Sequence, residues 1–328
     1  MSLARAVRIT GAGGPEVLVL DDVEVREPGP SEVLVEVRAA GLNRADCLQR
    51  RGFYPAPKGA PADVPGLEFA GVVAKVGSAC LAAKVGDHVM GIVAGGGMAS
   101  SLVVHERELV PIPAGMGFTD AAAIPEVFFT AYDAVFVQGG LAMGRSVLIH
   151  AVASGVGTAA IQLGKHAGAL PIGTTRTEAK LARCTELGLD HGIVVHEARF
   201  AERVKSIVPD GVDVILDTVG AAYLGENLDA LATGGTIVGI GLMGGAKGTM
   251  PLGTLLAKRA LLRGSTLRAR PLEEKIALAE RFRREVLPLF RDGRLRPVVD
   301  AVMPVADIRD AHARMEANET VGKIVMTF

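Results

Sequence analysis

The residues best placed to do chemistry in this 328-residue chain are His150-Ala151-Val152-Ala153-Ser154-Gly155-Val156-Gly157. They follow the compact apolar run Ser146-Val147-Leu148-Ile149 and lead into an apolar-periodic stretch over 157–165. Strand, glycine turn and helix in that order leave backbone N–H groups at a helix N-terminus free to hold a pyrophosphate, and glycine lets the backbone approach it. Laid on G-x-G-x-x-G, Val152 and Ser154 stand at the first two glycine positions and only Gly157 matches, so the reading rests on placement. A β-branched Val152 further implies that the turn needs no left-handed backbone there. The next predicted strand ends Ile172-Gly173-Thr174-Thr175-Arg176-Thr177, with no acidic residue where an NAD site binds its ribose hydroxyls. Arg176, the Thr hydroxyls and Lys180 can instead make charge-assisted hydrogen bonds to a 2'-phosphate. NADP rather than NAD is the expectation; in the competing reading Arg176 and Lys180 only solvate a helix start.

These residues need elements to position them. Up to about Val110 the apolar runs are short, β-rich and broken by Gly and Pro, as in Val33-Leu34-Val35-Glu36-Val37, which predicts a β-barrel-like region. Pro111 and Pro113 mark a boundary. Thr119 is placed to cap an Ala-rich helix, after which strands (146–150, 169–174, 212–217, 235–240) alternate with helices (157–165, 178–187, 224–231), the signature of a parallel sheet. One amphipathic helix over 273–290 and a β-containing tail follow. The expected class is α/β: a discontinuous β domain, 1–121 with 271–328, and a dinucleotide-binding domain, 122–270, closing a cleft between them.

Composition narrows the function. With 49% hydrophobic and 22% charged residues the chain is expected to fold, and a net charge of -1 without long charge runs argues against a nucleic-acid or membrane-surface binder. Glycine is unusually frequent, at 41 residues. Cys47, Cys80 and Cys184 lie far apart with no C-x-x-C pair, so neither a disulfide framework nor a Cys-based zinc site is expected. The first residues have no apolar signal core and no stretch is long enough to span a membrane, which makes the cytoplasm the expected location.

Eight ordered segments carry a resemblance: Gly13-Gly14-Pro15-Glu16, Leu42-Asn43-Arg44-Ala45-Asp46, Gly66-Leu67-Glu68, Gly86-Asp87-His88-Val89, Ala122-Ala123-Ile124-Pro125-Glu126, Ser154 to Leu163, Gly241-Leu242-Met243-Gly244-Gly245 and Gly322-Lys323-Ile324-Val325. Together they resemble the zinc-independent quinone oxidoreductase branch of the medium-chain dehydrogenase/reductase superfamily, most of all the tumour-suppressor-induced NADPH quinone oxidoreductase type. The resemblance implies a GroES-like catalytic domain plus a doubly wound Rossmann domain, NADPH as cofactor, a quinone or related electrophile as substrate, and a homodimer. Where zinc-dependent members carry Cys and His ligands this chain has Asn43 and Leu67, so no metal is expected.

By position in the matching segments, Ser154, Gly155, Val156 and Gly157 resemble the pyrophosphate turn, and Arg176, Lys180 and His196 the adenosine-phosphate contacts. Gly241, Leu242, Met243 and Thr130 resemble nicotinamide-side contacts, and Asn318 a residue reaching the cofactor from the tail. Tyr54 resembles an active-site tyrosine, either polarising a carbonyl through its phenol or lining the pocket. Asn43 reads as a polar wall of the site. Asp46 and His150 read as structural, Cys47 as a buried thiol, and Glu126 and Asp133 as capping or surface residues. Two further functions stay open: reduction of activated carbon-carbon double bonds, as in alkenal and enoyl reductases, and a non-catalytic NADPH-binding role.

Overall fold

The computed structural model describes residues 2–328 and divides into two compact units. One is formed by the chain up to Phe129 together with Leu267–Phe328, the other by Thr130–Thr266.

In the second unit six strands pair in parallel throughout, in the spatial order His191–Val194, Leu170–Thr175, Ser146–Ile149, Val212–Asp217, Leu231–Gly239, Leu261–Gly264. Numbered along the unit this is 3-2-1-4-5-6, the doubly wound order that binds dinucleotides beyond the carboxyl ends of its strands. The central strand Ser146–Ile149 is buried along its whole length, which is why it reads as an unbroken apolar run. Helix Gly155–His166 crosses to the neighbouring strand, and Leu148, Ile172, Ile193, Ile215, Leu228 and Ile237 pack into one core. The strand His191–Val194 has only four residues, one of them Gly and one His, and carries no periodicity to betray it.

The first unit is built on a seven-stranded sheet. Val299–Pro304, Lys323–Thr327, Glu32–Leu42, Glu68–Val76, His88–Ile92 and Val110–Pro111 follow in order, and Ser101–His105 adds to Glu32–Leu42. Strands Ser2–Ile9 and Leu18–Val25 form a separate antiparallel pair. The tail belongs here because Lys323–Thr327 pairs antiparallel with Glu32–Leu42, Ile324 opposite Leu42. Val33, Val35 and Val37 alternate into the core against Phe69, Val73, Met98 and Ile324.

Two local expectations are corrected. Thr119 is not a cap: the short helix is Phe118–Ala121 with Gly117 at its N-cap, and a second helix, Pro125–Tyr132, starts at the proline. The helix expected over 273–290 is two, Leu272–Glu285 and Leu287–Arg291. Pro288 lacks the N–H that would continue the first helix and its ring clashes with the carbonyl four residues back, so the chain breaks at Val286.

Candidate functional site

The second unit builds a phosphate-binding turn from its first strand and helix. Ser154 is the N-cap of Gly155–His166, its Oγ accepting the Gly157 N–H at 3.1 Å. The left-handed residue of the turn is Ala151, at φ 49°, one position before Val152. Val152 is fully buried and donates its N–H to the Thr174 carbonyl at 3.0 Å. Its branch fills the space that Gly173 leaves: a Cβ on Gly173 would lie 2.4 Å from Val152 Cγ2. Gly157 has no such latitude, since a Cβ there would stand 2.3 Å from the Val152 carbonyl oxygen.

Behind the turn lies a polar relay that the sequence does not announce. His150 joins Thr174 Oγ1 through Nδ1 at 2.8 Å and Asn227 Oδ1 through Nε2 at 2.6 Å. The Asn227 amide donates to Asp217 Oδ2 at 3.1 Å, and Asp217 Oδ1 accepts the Val219 and Gly220 N–H groups at 2.7 and 3.0 Å. Burial lowers the His150 pKa, with Asp217 opposing. His150 is therefore structural, as expected: it ties the end of its own strand to Leu170–Thr175 and to the helix Leu224–Ala230, whose Asn227 carries the relay on to Asp217. Asp217 and Asn227 went unnoticed because only the fold brings them to His150; an Asp closing an apolar strand was the one available signal.

Arg176 is exposed just beyond the strand Leu170–Thr175, and Lys180 ends the following 3-10 turn, Glu178–Lys180, partly buried. His196 is exposed in the turn after His191–Val194. Gly241, Leu242 and Met243 follow the strand Leu231–Gly239, and the Met243 N–H donates to the Thr218 carbonyl at 3.2 Å. Leu242 and Met243 expose 62% and 57% of their surface although both are apolar. Because the sheet is parallel, Ser154 to Gly157, Arg176, His196 and Gly241 to Met243 all lie beyond the same edge, the carboxyl ends of the strands. The residues fit a dinucleotide: a free helix N-terminus, a glycine that nothing larger replaces, an exposed guanidinium, and Thr218 Oγ1, buried with no partner beside them. Thr130 is half-buried on Pro125–Tyr132. Asn318 lies in the other unit, exposed at φ 59°, where its Oδ1 accepts from Arg44 at 2.7 Å and its amide donates to the Glu316 carbonyl.

The first unit gathers a cluster of charged side chains around Asn43. The Asn43 amide donates to Glu68 Oε1 at 2.9 Å and to the Gly41 carbonyl at 3.2 Å, and Oδ1 accepts from Lys323 Nζ at 2.6 Å. Lys323 Nζ also reaches Glu68 Oε1 at 2.6 Å and the Leu42 carbonyl at 2.7 Å. Asp46 is the N3 member of a capping box, accepting the Asn43 N–H at 2.8 Å and the Gly66 N–H at 2.9 Å. Burial pushes its carboxyl up to about 6 against those two donors. Arg268 is almost fully buried and is held by the Ala94 and Tyr54 carbonyls and Gln49 Oε1. Its guanidinium lies 5.1 Å from the centroid of the Tyr54 ring. The Tyr54 phenol is raised, by burial first and then by Glu126.

Glu126 and Asp133 depart from expectation. Asp133 is buried, accepting from Gln138 at 3.3 Å and from Ser265 Oγ at 2.8 Å, so it is not a surface residue. Glu126 stands at the start of Pro125–Tyr132, its own N–H donating to Glu68 Oε2 at 2.8 Å. Burial and the Glu68 charge push its carboxyl up to about 8. Cys47 is the inert thiol expected, buried and pushed up to about 12. Lys323 stood in the sequence only as part of the segment Gly322-Lys323-Ile324-Val325, with nothing to link it to Glu68.

A doubly wound sheet with a phosphate turn, in one chain with a sheet domain that buries a polar cluster, defines a dinucleotide-binding oxidoreductase. Residues 29–114 match the alcohol dehydrogenase GroES-like domain and residues 155–282 the zinc-binding dehydrogenase family. Quinone oxidoreductase of Pseudomonas aeruginosa is 34% identical over 335 residues, covering 99% of both chains. The human synaptic vesicle membrane protein VAT-1 homolog is 31% identical, covering 99% of this chain and 86% of its own. Among solved structures, a quinone oxidoreductase of Pseudomonas syringae superposes with a TM-score of 0.89 at 29% identity over the whole of both chains. JamJ enoyl reductase superposes at 0.88 and 27% identity, over 99% of both. The chain belongs to the medium-chain dehydrogenase/reductase superfamily, in its zinc-independent quinone oxidoreductase branch. It is an oxidoreductase that uses a nicotinamide dinucleotide and a small-molecule substrate. Among the described residues no helix is long and apolar enough to cross a membrane.

Proposed function

We propose that the protein is an NADPH-dependent quinone oxidoreductase that works without a catalytic metal. The observation that carries the cofactor choice is Arg176, exposed at the end of the second strand of the parallel sheet with no carboxylate in the neighbouring positions 172–177. A guanidinium and the Lys180 ammonium suit a 2'-phosphate, whereas a ribose hydroxyl calls for an acceptor. Ser154 to Gly157 hold the pyrophosphate, His196 borders the adenosine, and Gly241 to Met243 with Thr130 border the nicotinamide. Asn318, whose Oδ1 accepts from Arg44, is the cofactor contact contributed by the tail. The bound cofactor supplies the hydride.

The first unit handles the acceptor. Tyr54 presents a half-buried ring and a phenol, steadied by Arg268, to a flat electrophile. Asn43 has both amide N–H groups engaged, so it acts by positioning Glu68 and Lys323. The Lys323 ammonium lies on the oxygens of Asn43 and Glu68, which supports chemistry without a metal there. The sheet edge Leu261–Gly264, exposed at all four residues, suits pairing with a second copy in a homodimer. Three free thiols suit the cytoplasm.

The test is steady-state oxidation of NADPH and, separately, NADH with an ortho-quinone, a para-quinone and an enal. Quinone turnover with NADPH preference is expected. Turnover of the enal alone would move the assignment to double-bond reduction, the second reading, favoured by the likeness to JamJ enoyl reductase. NADPH binding with no turnover would leave a non-catalytic role.

A further inference from the structure

Glu126 has a property that neither its place at a helix start nor the proposed reaction explains. Three carboxyls converge in the first unit, Asp46, Glu68 and Glu126, against two cations, Lys323 and Arg268. Asp46 and Glu68 are fully buried and Glu126 is half-buried, so a surplus negative charge among them is poorly solvated and disfavoured. Removing the surplus takes one proton, and hydrogen bonds decide where it resides. Asp46 accepts two backbone N–H groups. Glu68 accepts from Lys323, from the Asn43 amide and from the Glu126 N–H, which also takes up the donor at the helix start. The Glu126 carboxyl receives no donor and faces the Glu68 and Asp46 charges, with Lys323 and Arg268 opposing them and the Tyr54 phenol within electrostatic reach. Of the three residues it is also the only one not fully buried.

We propose that Glu126 keeps its proton at neutral pH and is the acid that protonates the acceptor as it is reduced. This rests on the reaction proposed above. The bound cofactor would supply the hydride to the acceptor; the Glu126 O–H bond breaks as its proton passes to the acceptor oxygen, and the product leaves as a hydroquinone. The carboxylate left behind, pressed by Glu68 and Asp46, regains a proton from water. One hydride and one proton are consumed per quinone. The direction of the Glu126 shift, upward to about 8, agrees with this charge count.

Two measurements on the full chain test it. In protein carrying carbon-13 at the glutamate carboxyls, the resonance that disappears in Glu126→Gln should titrate near or above neutrality rather than around its ordinary 4.5. With a para-quinone and saturating NADPH, kcat should fall as pH rises through that titration. Glu126→Gln should lose on the order of 10²-fold in kcat together with the pH limb, while the KM for NADPH stays unchanged and Glu126→Asp restores part of the rate. A titration in the ordinary carboxylate range overturns the proposal whatever the activity. So does a Glu126→Gln enzyme with wild-type kcat and an intact limb. If wild type turns over no acceptor, the proposed reaction fails and takes the donor role with it, while the carbon-13 titration still decides the protonation state.

Discussion

The ammonium of Lys323 lies 2.6 Å from Glu68 Oε1, with 4% and 0% of the two side chains exposed. A charge from the last strand of the chain thereby meets a charge from the strand Glu68–Val76 inside the first unit. Such a pair adds little net stability, but removing one partner strands the other. Lys323→Met should therefore cost about 3–5 kcal/mol, and adding Glu68→Gln should return most of it. Urea unfolding of both single variants and the double variant reads the coupling directly; additive losses would show that the two groups do not depend on each other.

Gly157 is held by geometry. Its missing Cβ would sit 2.3 Å from the Val152 carbonyl and 2.7 Å from that of Ala151, both backbone atoms of the phosphate turn. Gly157→Ala should displace the turn, costing about 1–3 kcal/mol in stability and at least about tenfold in NADPH affinity. Fluorescence titration of NADPH alongside thermal unfolding checks both, and unchanged binding would remove the turn from the cofactor site.

Arg176 should matter for one cofactor only. A lost charge-assisted bond is worth about 1.5–3 kcal/mol, so Arg176→Ala should lower kcat/KM for NADPH by roughly tenfold or more and leave NADH nearly untouched. Equal losses with both cofactors would mean that the guanidinium supports the fold rather than a 2'-phosphate.

His312 gives the protein a pH dependence. The Arg50 guanidinium donates to its Nδ1 at 3.2 Å, leaving the proton on Nε2, which is buried without a partner. Burial, aided by Arg50, pushes the imidazole from 6.5 down to about 3. Because the folded value lies below the unfolded one, the unfolded chain binds the extra proton. The stability this group contributes is complete above about 6.5 and is lost as the pH falls towards 3. At about 1.4 kcal/mol per unit, wild type should lose roughly 2 kcal/mol more than His312→Gln between pH 7 and 5. Asp46 and Glu126, raised instead of lowered, slope the other way in both proteins and cancel in the comparison. Parallel urea midpoints across that range would sink the argument.

Much of the second unit was legible in the chain. Its strands are short apolar runs closed by glycine turns, and local rules of pairing and handedness then leave little choice but a doubly wound parallel sheet, with Ser154 to Gly157 and Arg176 beyond its carboxyl ends. The β texture of the first unit and the return of the tail were equally plain. What the chain could not show were encounters between residues far apart in it. Glu68 and Lys323 stood in two separate segments with nothing to pair them, Glu126 looked like a helix-start acid, and His150 had no visible link to Asn227 and Asp217. Each takes its character from burial and from how many donors reach it. Desolvation and hydrogen-bond supply are properties of a packed interior, so only the tertiary structure could decide which carboxyl of three is left with the proton.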